Sequence, residues 1–254
     1  MDKLLYVAMS GAKQNLVGIS MNANNLANVK TVGFKADFEQ ARTMQAFGEG
    51  LPTRVFAMEE RPGSRMQMGA IQTTDRDLDI AVTGKGWISV QDSKGEEAYT
   101  KSGNLKITAN GELITSRGNP VIGEGGPIIL PIPIEKVEIG SDGSVVVRPQ
   151  GAPANFLETV DRIKLIEADD NRNMTKMNDG LFRPKGDLVG DDCGFCDASP
   201  NVRIISGALE MSNVNPVEEM VAMISHHRQF EMQVKMMSKA EENDERHNNL
   251  LRIT

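Results

Sequence analysis

The chain has 254 residues, a formal net charge of −7 and a pI near 5.1. That is long enough for one large domain or two modest ones with a true core. Aromatic residues make up only 4%, too few for a base- or sugar-stacking platform, and the acidic balance excludes a nonspecific nucleic-acid binder, which needs a basic footprint. No apolar run reaches the roughly 18–20 residues that span a bilayer. The start, Met1-Asp2-Lys3-Leu4-Leu5, does not read as a cleavable signal peptide, and two cysteines make no disulfide framework. Composition alone therefore points to a cytoplasmic protein.

Apolar residues recur at Leu5, Met9, Ala12, Leu16, Ile19, Ala23 and Leu26, in alternating steps of four and three. This a/d spacing keeps one stripe of a helix facing a partner. It predicts a helix of roughly 35 Å, ended by the two β-branched residues and glycine of Thr31-Val32-Gly33. Residues 1–30 are thus read as a helical segment. Residues 31–76 have little periodicity and read as an extended connector.

From residue 77 to 207 the period changes from 3.5 to 2. Short alternating runs at 79–83, 87–91, 105–108 and 144–148, and a longer one at 160–166, are separated by the turn signals Lys94-Gly95, Ser102-Gly103, Asn110-Gly111, Asp142-Gly143 and Asp179-Gly180. This predicts an all-β domain. Residues 184–200 read as a polar, acidic loop.

Residues 208–254 predict a second helix. Asn215 fits the N-cap, Pro216 the first helical position, and Glu218 a capping-box-like pairing. A seam follows through Met220, Met223, His227, Phe230, Val234 and Met237 and turns polar beyond residue 240. The terminal charges are complementary, with four lysines against one aspartate in residues 1–35 and five bases against eight acids in residues 210–254. The resulting expectation is an α+β fold, its terminal helices paired as an antiparallel or near-antiparallel coiled-coil-like bundle with the β domain inserted between them. Both helices also carry apolar residues off the seam, including Leu4, Val7, Val17, Val221, Ile224 and Met232. A helix apolar on more than one face is deeply buried or packs against other chains, and packing against other copies is the better explanation here.

Ala23-Asn24-Asn25-Leu26-Ala27-Asn28, followed by Thr31, Gly33, Phe34 and Lys35, resembles the N-terminal motif of the axial proteins of the bacterial flagellum, its rod and hook proteins. Leu209-Glu210-Met211-Ser212-Asn213-Val214-Asn215, followed by Glu219-Met220 and Phe230-Glu231, is similar to the matching C-terminal motif. Leu78 to Val82, Gly84-Lys85-Gly86-Trp87 and Tyr99-Thr100-Lys101-Ser102-Gly103 look like the β-domain signature between them. Within the family, Gly86-Trp87, Pro120 to Ile128 and Phe230 to Lys235 resemble the proximal-rod branch.

The resemblance implies a structural subunit of the basal-body rod that carries torque from motor to hook and filament. It implies export by the flagellar type III apparatus without a cleaved signal and assembly in the periplasm, which overrides the cytoplasmic reading. The implied partners are other rod proteins, copies of itself, the inner-membrane ring and the export apparatus, with no nucleic acid, small-molecule substrate or cofactor. The two seams are then the subunit interface, and Asn24, Asn25, Leu26, Ala27, Asn28, Gly33, Phe34, Ser212, Asn213 and Val214 carry the family motif. Rival readings are a distal-rod or hook-type subunit, or a ligand-binding β domain with oligomerising helices.

Other constellations read as structural. Cys193 and Cys196 are loop thiols or a local disulfide, because a zinc site needs four ligands and the three histidines at 226, 227 and 247 lie on another element. Asp75, Asp77 and Asp79 lack the glycine and glutamate of a calcium loop and read as a solvated strand edge. Gly84-Lys85-Gly86 reads as a tight turn, too short for a phosphate loop. His227, on the seam, reads as an inter-helix residue. Asn22, Asn24, Asn25 and Asn28 read as a polar ladder to a neighbouring helix, and the helix methionines as either core filling or adaptable contacts. No catalytic arrangement is visible, so the chain reads as a non-enzyme.

Overall fold

The computed structural model describes residues 4–45, 55–151, 153, 157–168, 174–184 and 198–251. Cys193, Cys196 and most of the acidic loop 184–200 lie outside them. The fold is α+β: a helix at each end and a mostly β middle. The chain divides into two compact units, one of residues 1–29, 36–65 and 214–254, the other of residues 30–35 and 66–213.

In the first unit, α1 (Leu4–Ala27) and α2 (Pro216–Leu251) bracket a hairpin of β1 (Asp37–Gln45) and β2 (Val55–Ser64). The stretch read as an extended connector is therefore extended but paired. α2 begins where expected: the Asn215 side chain accepts the Val217 amide at 3.2 Å. Glu218 does not complete the reciprocal cap, but lies 3.8 Å from Arg65.

The helices pack antiparallel, and on α1 the face turned to α2 is not the large apolar seam. The buried residues of α1 are Ala8, Ala12, Asn15, Gly18, Asn22 and Asn25, a stripe one residue out of step with the predicted one and so turned by about 100°. Gly11 lies against Gln233 and Gly18 against the His226 ring, where a Cβ would meet ring atoms at 3.0 Å. Asn15 Oδ1 sits 3.2 Å from His226 Nδ1, and Asn25 Nδ2 donates to Glu219 Oε2 at 3.3 Å. Small residues let the helix backbones approach, and the polar ones fix register. His226, rather than His227, is the inter-helix histidine; His227 is exposed and lies 3.5 Å from Glu231.

The second unit is antiparallel β throughout. Its strands are β3 (Ile71–Thr73), β4 (Ile80–Val82), β5 (Gly86–Gln91), β6 (Glu97–Thr100), β7 (Leu105–Ile107), β8 (Leu113–Thr115), β9 (Ile122–Gly123), β10 (Gly126–Pro127), β11 (Ile134–Ile139), β12 (Ser144–Pro149), β13 (Glu158–Arg162), β14 (Leu165–Glu167), β15 (Met174–Lys176), β16 (Phe182–Pro184), β17 (Ile204–Ser206) and β18 (Ala208–Glu210). The largest sheet has the order β14-β5-β6-β16-β15, and β11-β12-β13 form a second. Period-two alternation builds two cores from one strand: β5 sends Ile88 and Val90 into the main cluster with Leu105, Leu113 and Val145, and Trp87 into a second with Tyr99, Ile166 and Phe182.

Three details differ from the sequence expectation. The run 160–166 is split, since β13 pairs with β12 while β14 pairs with β5, and Ile163 turns inward between them. Ser102-Gly103 is not a hairpin turn: a Cβ on Gly103 would lie 1.7 Å from the Ile80 carbonyl oxygen, so the glycine is there for close backbone approach. Asp75, Asp77 and Asp79 are not on one strand face. Asp79 is buried and accepts Thr74 Oγ1 at 2.8 Å. Gly84-Lys85 does form the tight turn, closed by a Gly86 to Thr83 hydrogen bond of 3.4 Å.

The helix contact yields a direct test. Gly18→Leu is expected to force α2 away from α1, lowering the melting of the 222 nm helix signal while the near-ultraviolet signal of Trp87 in the β unit melts as in the parent chain. An unchanged helix transition would contradict the small-residue contact.

Candidate assembly surfaces and the buried charge junction

Two features carry functional weight: the apolar faces of α1 and α2, and a charged cluster in the β unit. On α1, Leu5, Met9 and Leu16 project within about 40° of one another and are 43%, 53% and 51% exposed; Tyr6 is also exposed. On α2, Val217, Val221, Ile224 and Met232 share one exposed face opposite the side that meets α1. Val221, Ile224, Ser225, Arg228, Gln229 and Met232 line a shallow groove there of about 340 Å³.

The predicted interface residues therefore divide. Leu5, Met9, Leu16, Ala23, Met220, His227 and Val234 are exposed; Ile19, Leu26, Met223, Phe230 and Met237 are half-buried; Ala12 is buried on the face toward α2. The asparagine cluster divides too. Asn25 is buried and doubly engaged with the Asp37 backbone, its Nδ2 donating to the carbonyl and its Oδ1 accepting the amide, both at 2.9 Å. Asn24 is exposed and accepts locally from Asn28. Asn22 is buried, and its Nδ2 has no partner among the described residues.

The charged cluster was legible only as letters in three motifs. Glu210, at the end of β18, is fully buried, with Lys35 Nζ 2.6 Å from its Oε1 and Lys101 Nζ 3.7 Å from its Oε2. The amide of Gly69 also donates to Oε1, at 3.1 Å. Lys35 donates further to the Gln67 carbonyl and Lys101 to the Gly84 carbonyl, each at 2.9 Å. Lys101 lies 5.4 Å from the Trp87 ring, within cation–π range. Gly33 closes the cluster from above. Its amide donates to the Glu210 carbonyl at 2.8 Å, its φ is +68°, and a Cβ would lie 2.4 Å from the Lys101 carbonyl carbon. Phe34, buried beside it, carries the Lys176 ammonium 3.9 Å above its ring. Asn213 donates its amide to the Phe34 carbonyl and its side chain to Gln67.

Segments 33–35, 67–69, 101 and 210–213 are thus tied into one clasp, and three of them lead directly to the helical unit along the chain. Lys35, Lys101 and Glu210 are each a charged residue within one of the three motifs, but nothing in the sequence paired them.

Three family models match the chain. The flagella basal body rod protein model covers residues 5–35, the flagellar hook protein FlgE/F/G D1 domain residues 81–147, and the flagellar basal body rod FlgEFG protein C-terminal model residues 205–250. Over 254 residues, all of both chains, the sequence is 40% identical to the flagellar basal-body rod protein FlgF of Salmonella typhimurium and 39% identical to that of Escherichia coli. It is 33% identical over 247 residues, 95% of each chain, to FlgF of Caulobacter vibrioides. The chain belongs to the flagellar basal-body rod protein family.

Its likeness is to the FlgF-type, proximal-rod branch, whose members are structural subunits and not enzymes. Lys35, Lys101 and Glu210 each fall in a different matched segment. No helix among the described residues is long and apolar enough to cross a membrane.

Removing one partner of a buried ion pair strands the other. Glu210→Gln is therefore expected to destabilise the rod subunit by about 3–5 kcal/mol, and Lys35→Met with Lys101→Met and Glu210→Met, which removes every member of the cluster, to recover much of the loss. Burial lowers the Lys101 ammonium from its ordinary 10.5 to about 8, with Glu210 partly opposing and Lys35 adding repulsion. Between those pH values the unfolded chain holds a proton that the folded chain has released, so this group's contribution to stability rises with pH. Denaturant titrations should show the parent gaining stability relative to Lys101→Met across that window. A constant or falling difference would contradict the burial argument.

Proposed function

We propose that the chain polymerises into the rod through the outer faces of α1 and α2, which form a coiled-coil-like bundle with the helices of neighbouring subunits. The observation that carries this reading is the division of faces. α1 meets α2 through glycine, alanine and asparagine set against Glu219, His226 and Gln233, and the large apolar residues Leu5, Met9, Leu16, Val221, Ile224 and Met232 remain exposed.

Covering the exposed half of one such side chain is worth about 1 kcal/mol. Association costs roughly 4–15 kcal/mol in lost freedom. One contact is not enough, so the stripes act together. Contacts between unlike faces, α1 of one copy on α2 of the next, propagate along an axis instead of closing a dimer.

In this reading the neighbours are other rod proteins and copies of the same chain, with the inner-membrane ring at the rod's base. The subunit passes through the flagellar export apparatus without a cleaved signal, assembles in the periplasm and transmits torque toward hook and filament. The rod subunits of Salmonella typhimurium and Escherichia coli, matched over their full length, support it.

Leu16→Asp places a charge at the middle of the α1 stripe, which is exposed in the free chain. It is expected to abolish swimming and incorporation into basal bodies while the purified chain melts as the parent does. Wild-type swimming would refute the assignment of this face.

A further inference from the structure

The outer helix faces are rich in one oxidisable group. Met9, Met220, Met232 and Met236 are between 43% and 58% exposed. Each stands in or beside an apolar stripe: Met9 between Leu5 and Leu16, Met220 beside Val217 and Ile224, Met232 in the α2 groove, and Met236 one turn beyond it. Met174, in the β core, is by contrast only 5% exposed.

We propose that these four methionines form an oxidation-sensitive modification site that controls subunit association, an inference that rests on the assembly reading above. A peroxide is the oxidant. The thioether sulfur attacks one oxygen of hydrogen peroxide, an S–O bond forms as the O–O bond breaks, the departing hydroxide takes the proton of the new S–OH group and leaves as water, and the sulfur, having lost two electrons, is a sulfoxide. A thiol-dependent methionine sulfoxide reductase reverses the step, returning the thioether and water and leaving a disulfide on the reductant.

The sulfoxide oxygen is a strong hydrogen-bond acceptor placed in a stripe of Leu, Val and Ile, which offer no donor. An acceptor buried without a partner costs about a factor of ten or more in an interface's equilibrium constant. The window is open only before assembly, because neighbours that cover the stripes also cover the sulfurs. A subunit damaged in transit is rejected, and one already in the rod is protected.

The test uses the full chain with Cys193→Ser and Cys196→Ser, so that thiol oxidation cannot contribute. It is treated with hydrogen peroxide, mapped by mass spectrometry and followed by sedimentation velocity over a concentration series. The four helix methionines are expected to oxidise at least about tenfold faster than Met174, the concentration needed for association to rise about tenfold or more, and sulfoxide reductases to restore it. Met9→Leu/Met220→Leu/Met232→Leu/Met236→Leu should associate after peroxide as before. Met68→Leu/Met177→Leu, which removes exposed methionines of the β unit, should remain sensitive. Complete conversion at the four sites with unchanged association, or equal sensitivity of the fourfold leucine variant, would overturn the proposal. Leu16→Asp separates the two readings. If it abolishes association and oxidation does not, only the oxidation site fails. If it leaves association intact, or if the untreated chain stays monomeric throughout, the assembly reading fails and the inference falls with it.

Discussion

One carboxylate organises the β unit. Glu210 is buried without solvent and is held by Lys35, by the Gly69 amide and, at longer range, by Lys101. An ion pair in this setting is not chiefly a source of stability, since desolvation takes back most of the Coulomb gain. Its value is geometric. Two cations and an amide must converge on one group, and no slipped register of the crossing segments satisfies them. The glycine at 33 serves the same end, because its left-handed backbone and its contact with Lys101 admit no side chain. The segments that lead into both helices are therefore fixed at their β-unit ends before any neighbour arrives.

The helices show a complementary economy. A conventional two-helix pairing would put Leu5, Met9 and Leu16 against α2 and leave little to offer outside. Here the seam is rotated by one residue. Ala8, Gly11, Ala12 and Gly18 bring the backbones together, and Asn15 with His226 and Asn25 with Glu219 set the alignment. The bulky side chains Leu5, Met9 and Leu16 remain exposed. With small residues on the α1 side of the contact, the large apolar side chains of both helices' outer faces stay exposed.

The sequence carried the elements and missed their contacts. Both helices, the Asn215 cap and the strands at 86–91, 105–107 and 144–149 follow from periodicity and turn residues, which are local signals. The helix seam was legible as a spacing but not as an orientation: the heptad of large residues and the heptad of small ones lie one residue apart on α1, and spacing does not say which faces inward. The hairpin at residues 37–64 gave no period to detect, because its strands alternate weakly in Asp37-Phe38-Glu39-Gln40 and beyond. The clasp was invisible for a different reason. Its charges are 66 and 109 residues apart along the chain (35 to 101, 101 to 210), and pairing at that separation is set by sheet topology.

The account turns on which side of α1 meets other subunits. A photo-crosslinking amino acid placed singly at position 16 and at position 12, followed by isolation of basal bodies and denaturing electrophoresis, reads this directly. The account predicts covalent adducts between chains from position 16 and only unlinked or internally linked single chains from position 12. Adducts from position 12 with none from position 16 would mean that the small-residue face, and not the apolar one, builds the rod.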